Sequence, residues 1–143
     1  SFFNEILINS NYVGEKIELS NSKLLNEKVG SLKLDYGNIY LEDNDILFKG
    51  KFSFEIFDKK RFYRKFLVPK KSQKDLEKVY FGLIYNLSKS DAKIFFISLN
   101  DDKPEMSDNL DNLIYGFNNN SITVNNWISL RSFINKILSS YPG

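Results

Sequence analysis

The sequence predicts a single α+β domain over residues 1–143, in which helices pack on one mixed β-sheet. In the first half of the chain, apolar residues alternate with polar ones, which is the period of a strand. In the second half they recur mainly at helical spacing. With 143 residues, 42% of them hydrophobic, the chain suits one core and is short for two.

An antiparallel β-meander is predicted for the first half, from residue 31 onward. Residues that tolerate tight turns separate its strands at 37–38, 42–45 and 49–51. The alternating apolar residues are Leu32, Leu34 and Tyr36, then Ile39 and Leu41, then Phe52, Phe54 and Ile56. One more strand is predicted over 61–68.

The start of the chain is less regular than the meander. A short helix is predicted around Phe3, Ile6 and Leu7, because these residues share one side of a helix. A short strand is predicted over 16–19.

Helices and strands are predicted to alternate in the second half. The predicted elements are a helix over 72–88 capped by Ser72, a central strand over 93–99 that is apolar on both faces, a helix from Pro104, a short strand over 122–124, and a last helix capped by Asn125 or Asn126. This order implies right-handed crossovers between parallel strands, and therefore a mixed sheet.

The composition excludes several classes of site. The chain contains neither cysteine nor histidine, so disulfides, thiolate and imidazole metal sites, and histidine-based triads are absent. Its glycines are scattered and form no phosphate-binding loop. Asp45 with Asp58, Lys59 and Lys60 faintly resembles the carboxylate and lysine set of metal-dependent nucleases. We expect a non-catalytic protein without a cofactor or bound metal.

Basic residues gather between residues 49 and 78, where eleven basic residues stand against four acidic ones. One interpretation is a partner-binding surface, for which the candidates are Arg61, Tyr63, Arg64, Lys65, Lys70 and Lys71. With Phe62 and Tyr63 interleaved, this surface would suit nucleic acid as well as an acidic protein. The other interpretation is an edge strand that its lysines protect from aggregation.

An acidic cluster follows between residues 101 and 111. It consists of Asp101, Asp102, Glu105, Asp108 and Asp111, whose spacing lacks the pattern of a calcium-binding loop. These carboxylates suit the first turn of a helix, where they also form a candidate docking surface for a basic partner.

Two aromatic residues stand out in the helix predicted over 72–88. Phe81 and Tyr85 form a second stripe beside its main apolar face, so either a neighbouring helix or a partner covers them.

The leading functional hypothesis is a protein-binding module, in particular a small bacterial immunity protein of the antitoxin-like kind that neutralises a cognate toxin. Its basis is size and composition, since no motif identifies such a family. The alternatives are a nucleic-acid-binding protein, a metal-dependent nuclease using the segment 49–78, and a subunit of a larger assembly. No stretch of the sequence suits a membrane span or a leader, so a cytoplasmic protein without membrane contact is expected.

Overall fold

The computed structural model describes residues 3–101 and 107–141. Within these residues the chain forms seven strands, three α-helices and one 3-10 helix. The strands are β1 (Glu5–Leu7), β2 (Ser10–Val13), β3 (Lys16–Asn26), β4 (Gly30–Glu42), β5 (Asp45–Ile56), β6 (Lys78–Asn86) and β7 (Asp91–Leu99); the α-helices are α1 (Lys59–Lys65), α2 (Asp108–Asn118) and α3 (Trp127–Ser140); the 3-10 helix is Lys70–Ser72.

All seven strands belong to one sheet, and each observed pair is antiparallel. The order across the sheet is β1-β3-β4-β5-β6-β7, with β2 also paired to β3. The prediction of an α+β chain with one sheet is confirmed. The prediction of a mixed sheet with parallel crossovers is wrong, because the segment expected to be the first crossover helix is itself a strand.

That segment contains β6. The predicted helix over 72–88 is wrong: Ser72 ends the 3-10 helix, and the strand begins at Lys78. Apolar residues occupy both faces of β6, and this run also matches a helical spacing. Long-range pairing decides the outcome, since β6 is hydrogen-bonded along its length to β5 on one side and to β7 on the other.

The strand predicted over 61–68 is wrong as well, because α1 occupies most of that segment. The side chain of Asp58 accepts a hydrogen bond from the backbone N–H of Arg61 at 3.0 Å, which caps the helix. Phe62 and Phe66 lie four residues apart and are both buried. A strand would place Arg64 on the same face as these two rings, whereas one turn of helix brings the rings together and leaves Arg64 exposed.

Strand β7 confirms the strand predicted over 93–99, but it lies at the edge of the sheet rather than in its middle. Ile94 and Leu99 are buried in the main core. A bulge opposite Gly82 places the rings of Phe95 and Phe96 next to each other, which explains the unbroken apolar run. The strand predicted over 122–124 is wrong, because these residues run irregularly between two helices.

The turn predicted at 42–45 is confirmed as the link between β4 and β5, with Asp43 and Asn44 both in the left-handed region. The turns predicted at 37–38 and 49–51 are wrong. Gly37 and Gly50 face each other inside the paired strands, and a Cβ at either position would lie within 3 Å of the Phe48 ring. They make room for that ring.

The first residues form strands instead of the predicted helix. β2 pairs with the first part of β3, which is the strand predicted over 16–19, and β1 pairs with the later part of β3. The mostly polar residues 8–16 offer no apolar stripe with which a helix could pack, whereas pairing with β3 satisfies their backbone groups without one.

The helices form a layer on one face of the sheet, which we call the helix side. The main core lies between them and β5, β6 and β7. Asn126 caps α3 by accepting a hydrogen bond from the N–H of Ser129 at 2.8 Å, as predicted. α2 begins at Asp108, whereas Pro104 lies outside the described residues. Among the helices described here, none is long and apolar enough to cross a membrane.

The α2 helix allows a test of this packing. Leu110 is 1% exposed in the core, so Leu110→Ala should lower the free energy of unfolding by about 2–5 kcal/mol. Tyr115 on the same helix is 71% exposed, and Tyr115→Ala should change it by no more than about 0.5 kcal/mol. Urea unfolding with equal m-values would check both. Equal effects of the two substitutions would contradict this position of α2.

Candidate functional site

The most strongly charged surface is the link between β5 and β6. We call residues 59–74 the basic connection, because they carry eight Lys or Arg residues and no Asp or Glu. Flanking carboxylates compensate two of these cations. Arg61 pairs with Asp58 at 3.1 Å, and Lys59 pairs with Asp75, whose hydrogen bond raises the pKa of Lys59.

The other predicted contact residues of the basic connection face solvent. Arg64, Lys65, Lys70 and Lys71 are exposed, and none forms an ion pair with a carboxylate in residues 3–101 or 107–141. Arg64 and Lys65 stand in the last turn of α1, where positive charge is favourable.

The aromatic residues of the basic connection point inward. Tyr63 is only 7% exposed, its hydroxyl donates to the backbone carbonyl of Lys74, and burial raises its pKa. Phe62 is also buried. The structure therefore separates Tyr63 from the cations with which the sequence grouped it, and neither ring is available for stacking on a base.

Hydrogen bonds hold the backbone of the basic connection in place. Asn135 on α3 donates from Nδ2 to the carbonyl of Phe66 at 2.9 Å. Gln73 donates from Nε2 to the carbonyl of Val68 at 3.0 Å. The exposed cations are thus carried by a backbone that is tied to both the core and α3.

The rest of the basic segment 49–78 lies on the opposite face of the sheet, which we call the open face. The strand register places Lys51 on this face, level with Gly82 on β6. Lys51 lies over the ring of Phe96 at 5.1 Å, Lys49 over Phe95 at 5.2 Å, and Lys78 over Tyr80 at 5.9 Å. The sequence segment therefore forms two surfaces rather than one.

A shallow basin of about 570 Å³ lies on the open face. Its charged lining residues are Lys23, Lys33, Lys51, Lys78, Asp35 and Glu55. Asp35 accepts a hydrogen bond from Ser53 at 3.3 Å and lies 3.7 Å from Lys33, so its charge is already partly compensated.

The predicted acidic cluster is described only in part. Asp101, Asp108 and Asp111 are exposed, whereas Asp102 and Glu105 lie outside the described residues. Asp108 and Asp111 occupy the first turn of α2, which suits their charge. In the part of the chain that the structure describes, no three acidic residues are grouped so as to hold a metal ion.

The residues of the nuclease-like pattern are far apart. Asp45 begins β5 and Asp58 follows its end, so a strand of roughly 40 Å separates the two carboxylates. Asp58 caps α1, and Lys59 is paired with Asp75. The structure does not bring this set together.

An apolar cleft lies between the helix side of the sheet and α3, and both predicted aromatic candidates line it. Phe81 and Tyr85 are half-buried on β6, and Phe81 stacks on Phe52 at 5.0 Å. The cleft residues on β6 and α3 are Val79, Phe81, Leu83, Tyr85, Trp127, Leu130, Phe133, Ile134, Ile137 and Leu138. Sequence reasoning missed the cleft, because the α3 residues resemble an ordinary core stripe and β6 was expected to be a helix.

The volume of the cleft shows that it cannot be both enclosed and empty. Its volume is about 570 Å³, and every lining side chain is apolar or aromatic. Enclosed and empty, such a void would cost about 14 kcal/mol at ~24 cal/mol per Å³, which is as much as a whole domain's stability. A stable fold must therefore leave the cleft open to water or fill it.

Trp127 marks one mouth of the cleft. It lines the cleft, yet it is 36% exposed. Its ring packs against Phe66 at 5.2 Å, and the Lys65 ammonium lies 5.5 Å from its centroid. One cation of the basic connection therefore lies beside the mouth.

Apolar side chains continue along the sheet beyond the helices. One rung across six strands consists of Tyr12, Ile17, Ile39, Phe48, Tyr85 and Ala92, which are paired in register. We call it the apolar rung. Tyr12 is 77% exposed, and Tyr85 and Ala92 also line the cleft. The other five residues of the rung are half-buried, so the rung is a partly exposed apolar strip, a feature that is common at binding surfaces.

Comparison with known proteins adds no relative: no family model, curated protein or solved structure matches this chain.

Asp45 provides a test of the electrostatics at the β4–β5 turn. It accepts a hydrogen bond from Asn86 at 3.0 Å and lies 3.2 Å from Lys89, and these contacts lower its pKa. A lowered pKa stabilises the fold above the ordinary aspartate pKa, and this contribution is lost as the pH falls through the folded value.

We therefore expect Asp45→Asn to lower the melting temperature at pH 7 by about 1–3 °C, with the difference from wild type vanishing in strong acid. Glu42→Gln, an exposed acid of the same turn, serves as the control. Thermal unfolding followed by circular dichroism from pH 7 to pH 2 measures both. A difference that is the same at every pH would contradict the assignment.

Proposed function

We propose that this chain is a non-catalytic protein-binding module that recognises an acidic surface on one protein partner through the basic connection. The observation that carries the proposal is the set of exposed, unpaired cations Arg64, Lys65, Lys70 and Lys71. In the form we favour, the partner is a toxin domain and the chain is its cytoplasmic immunity protein.

The way in which the cations are displayed supports recognition of a defined partner. The backbone of the basic connection is anchored by buried Phe62, Tyr63 and Phe66, and by the hydrogen bond from Asn135. A surface that is already ordered loses little conformational entropy on binding. Charge complementarity then contributes association rate and specificity.

Three features favour a protein over nucleic acid. The rings expected to stack on bases, Phe62 and Tyr63, are buried. Of the two arginines in the basic connection, Arg61 is already paired with Asp58, which leaves Arg64 as its single unpaired guanidinium in the described structure. The apolar rung adds a second surface that suits a protein rather than a phosphate backbone.

A charge-reversal experiment tests the proposal. The triple variant Arg64→Glu, Lys70→Glu, Lys71→Glu changes only exposed side chains, so the fold should remain intact. Tagged wild type and variant are incubated at physiological salt with nuclease-treated lysate of the native cells, and the eluates are quantified by mass spectrometry. We expect a stoichiometric protein partner whose affinity falls by about ten- to a hundredfold in the variant.

A second triple variant, with the same change in net charge outside the basic connection, is the matched control. Lys16→Glu, Lys28→Glu, Lys93→Glu alters three exposed lysines outside the basic connection and should retain the partner. Equal capture by both triple variants would contradict the proposal. The nucleic-acid alternative would be established instead by oligonucleotide binding whose affinity falls log-linearly with salt and that the triple variant containing Arg64→Glu loses.

A further inference from the structure

We propose that the apolar cleft binds one long-chain fatty acid, with its hydrocarbon chain between β6 and α3 and its carboxylate at Lys65. This inference does not depend on the protein-binding function. It assigns a ligand class to the cleft on the helix side of the sheet, whose nearest unpaired cation in the described structure is Lys65, beside Trp127.

The lining of the cleft selects a hydrocarbon. At about 570 Å³ it falls within the range of small-molecule sites, yet no charged side chain is among its lining residues. The hydroxyl of Tyr85 and the indole N–H of Trp127 are the polar side-chain groups there. A nucleotide or sugar would lose its hydrogen bonds with water on entering and would recover few.

The shape of the cleft favours a chain over a compact molecule. Lining residues extend from Leu32 on β4, across β5 and β6, to Ala92 on β7. Three strand spacings, roughly 14 Å, separate these two residues across the sheet; Leu32 is level with Val79 and Ala92 with Tyr85, which adds roughly 20 Å along the strands. An extended hydrocarbon chain can fill such a space in one piece.

An apolar peptide segment fits the same lining less well. Each of its residues would bring a backbone N–H and a carbonyl that need partners once they are buried. The β6 backbone is paired on both sides, and on the outer edge of β7 the side chain of Asn118 occupies both the N–H and the carbonyl of Ile94, each at 2.8 Å. The side chains that line the cleft offer few further polar partners. A fatty acid has its polar atoms at one end and avoids this cost.

Lys65 gives the cleft a preference for an anionic head. Its ammonium lies 5.5 Å from the centroid of Trp127, which lines the cleft and reaches solvent. Lys65 is exposed, and no ion pair occupies it within residues 3–101 and 107–141. A carboxylate at the mouth can therefore meet this charge while the chain stays inside.

The only tryptophan of the chain makes the binding directly measurable. A naturally fluorescent polyene fatty acid is titrated into the purified full chain, and energy transfer from Trp127 is recorded; oleate and oleyl alcohol then compete. We expect saturable transfer at one ligand per chain. Oleate should displace the probe at lower concentration than the neutral alcohol.

Two variants locate the site. Lys65→Glu should weaken oleate binding by about fivefold and leave oleyl alcohol unaffected, whereas Lys93→Glu, on the open face, should change neither. Leu83→Phe places a larger side chain in the cleft and should reduce the binding of both ligands. If Leu83→Phe fails to fold, the surface variants still decide.

Three results would overturn the proposal. The first is no energy transfer with wild type below the micellar concentration of the probe. The second is oleate affinity that Lys65→Glu leaves unchanged. The third is oleyl alcohol that competes as well as oleate. A retained protein-binding activity alongside any of them would leave the function proposed above intact.

Discussion

The two-residue alternation of β5 is the constraint on which both faces of the molecule depend. Its partners β4 and β6 flank it along most of its length, so each β5 side chain is committed to one face. Phe52, Phe54 and Ile56 lie on the helix side, while Lys51 and Ser53 lie on the open face. A shift of one residue in this register would bury the lysines and expose the phenylalanines.

The sequence predicts this alternation over residues 52–56, but it places a turn at 49–51, in the middle of β5. It fails at β6, where Val79, Phe81 and Leu83 on the helix side are accompanied by Tyr80 and Ile84 on the open face. A run that is apolar at nearly every position fits both periods, and only pairing with β5 and β7 settles it. β5 ends at Ile56, far from β6 in the sequence, so its pairing with β6 leaves no local signal.

The candidate surfaces also include residues that the sequence identifies and residues that it does not. Arg64, Lys70 and Lys71 could be found from charge alone, since exposed cations of a link need no particular secondary structure to reach solvent. The depth of Tyr63 could not, because its burial depends on α1 being helical and on the carbonyl of Lys74 meeting its hydroxyl. The cleft cannot be predicted either, because the sequence places Phe81 and Tyr85 on a helix that the chain does not form.

The open face shows how a sheet can leave one side without helices and still protect its rings. Phe96 is only 7% exposed, although none of the helices in residues 3–101 and 107–141 packs on this face, and the ammonium of Lys51 lies over its ring. Lysine stems shield apolar surface while their charged ends remain in water. Because Lys49, Lys51 and Lys78 each lie over an aromatic ring, these rings are not a free stacking platform despite the surrounding positive charge. A base would have to displace a cation that the ring already attracts. The open face is therefore a sheet surface whose aromatic rings are covered by its own lysines, and it is poorly suited to bind nucleic acid. The basic connection, with its unpaired cations, is the better candidate for binding a partner.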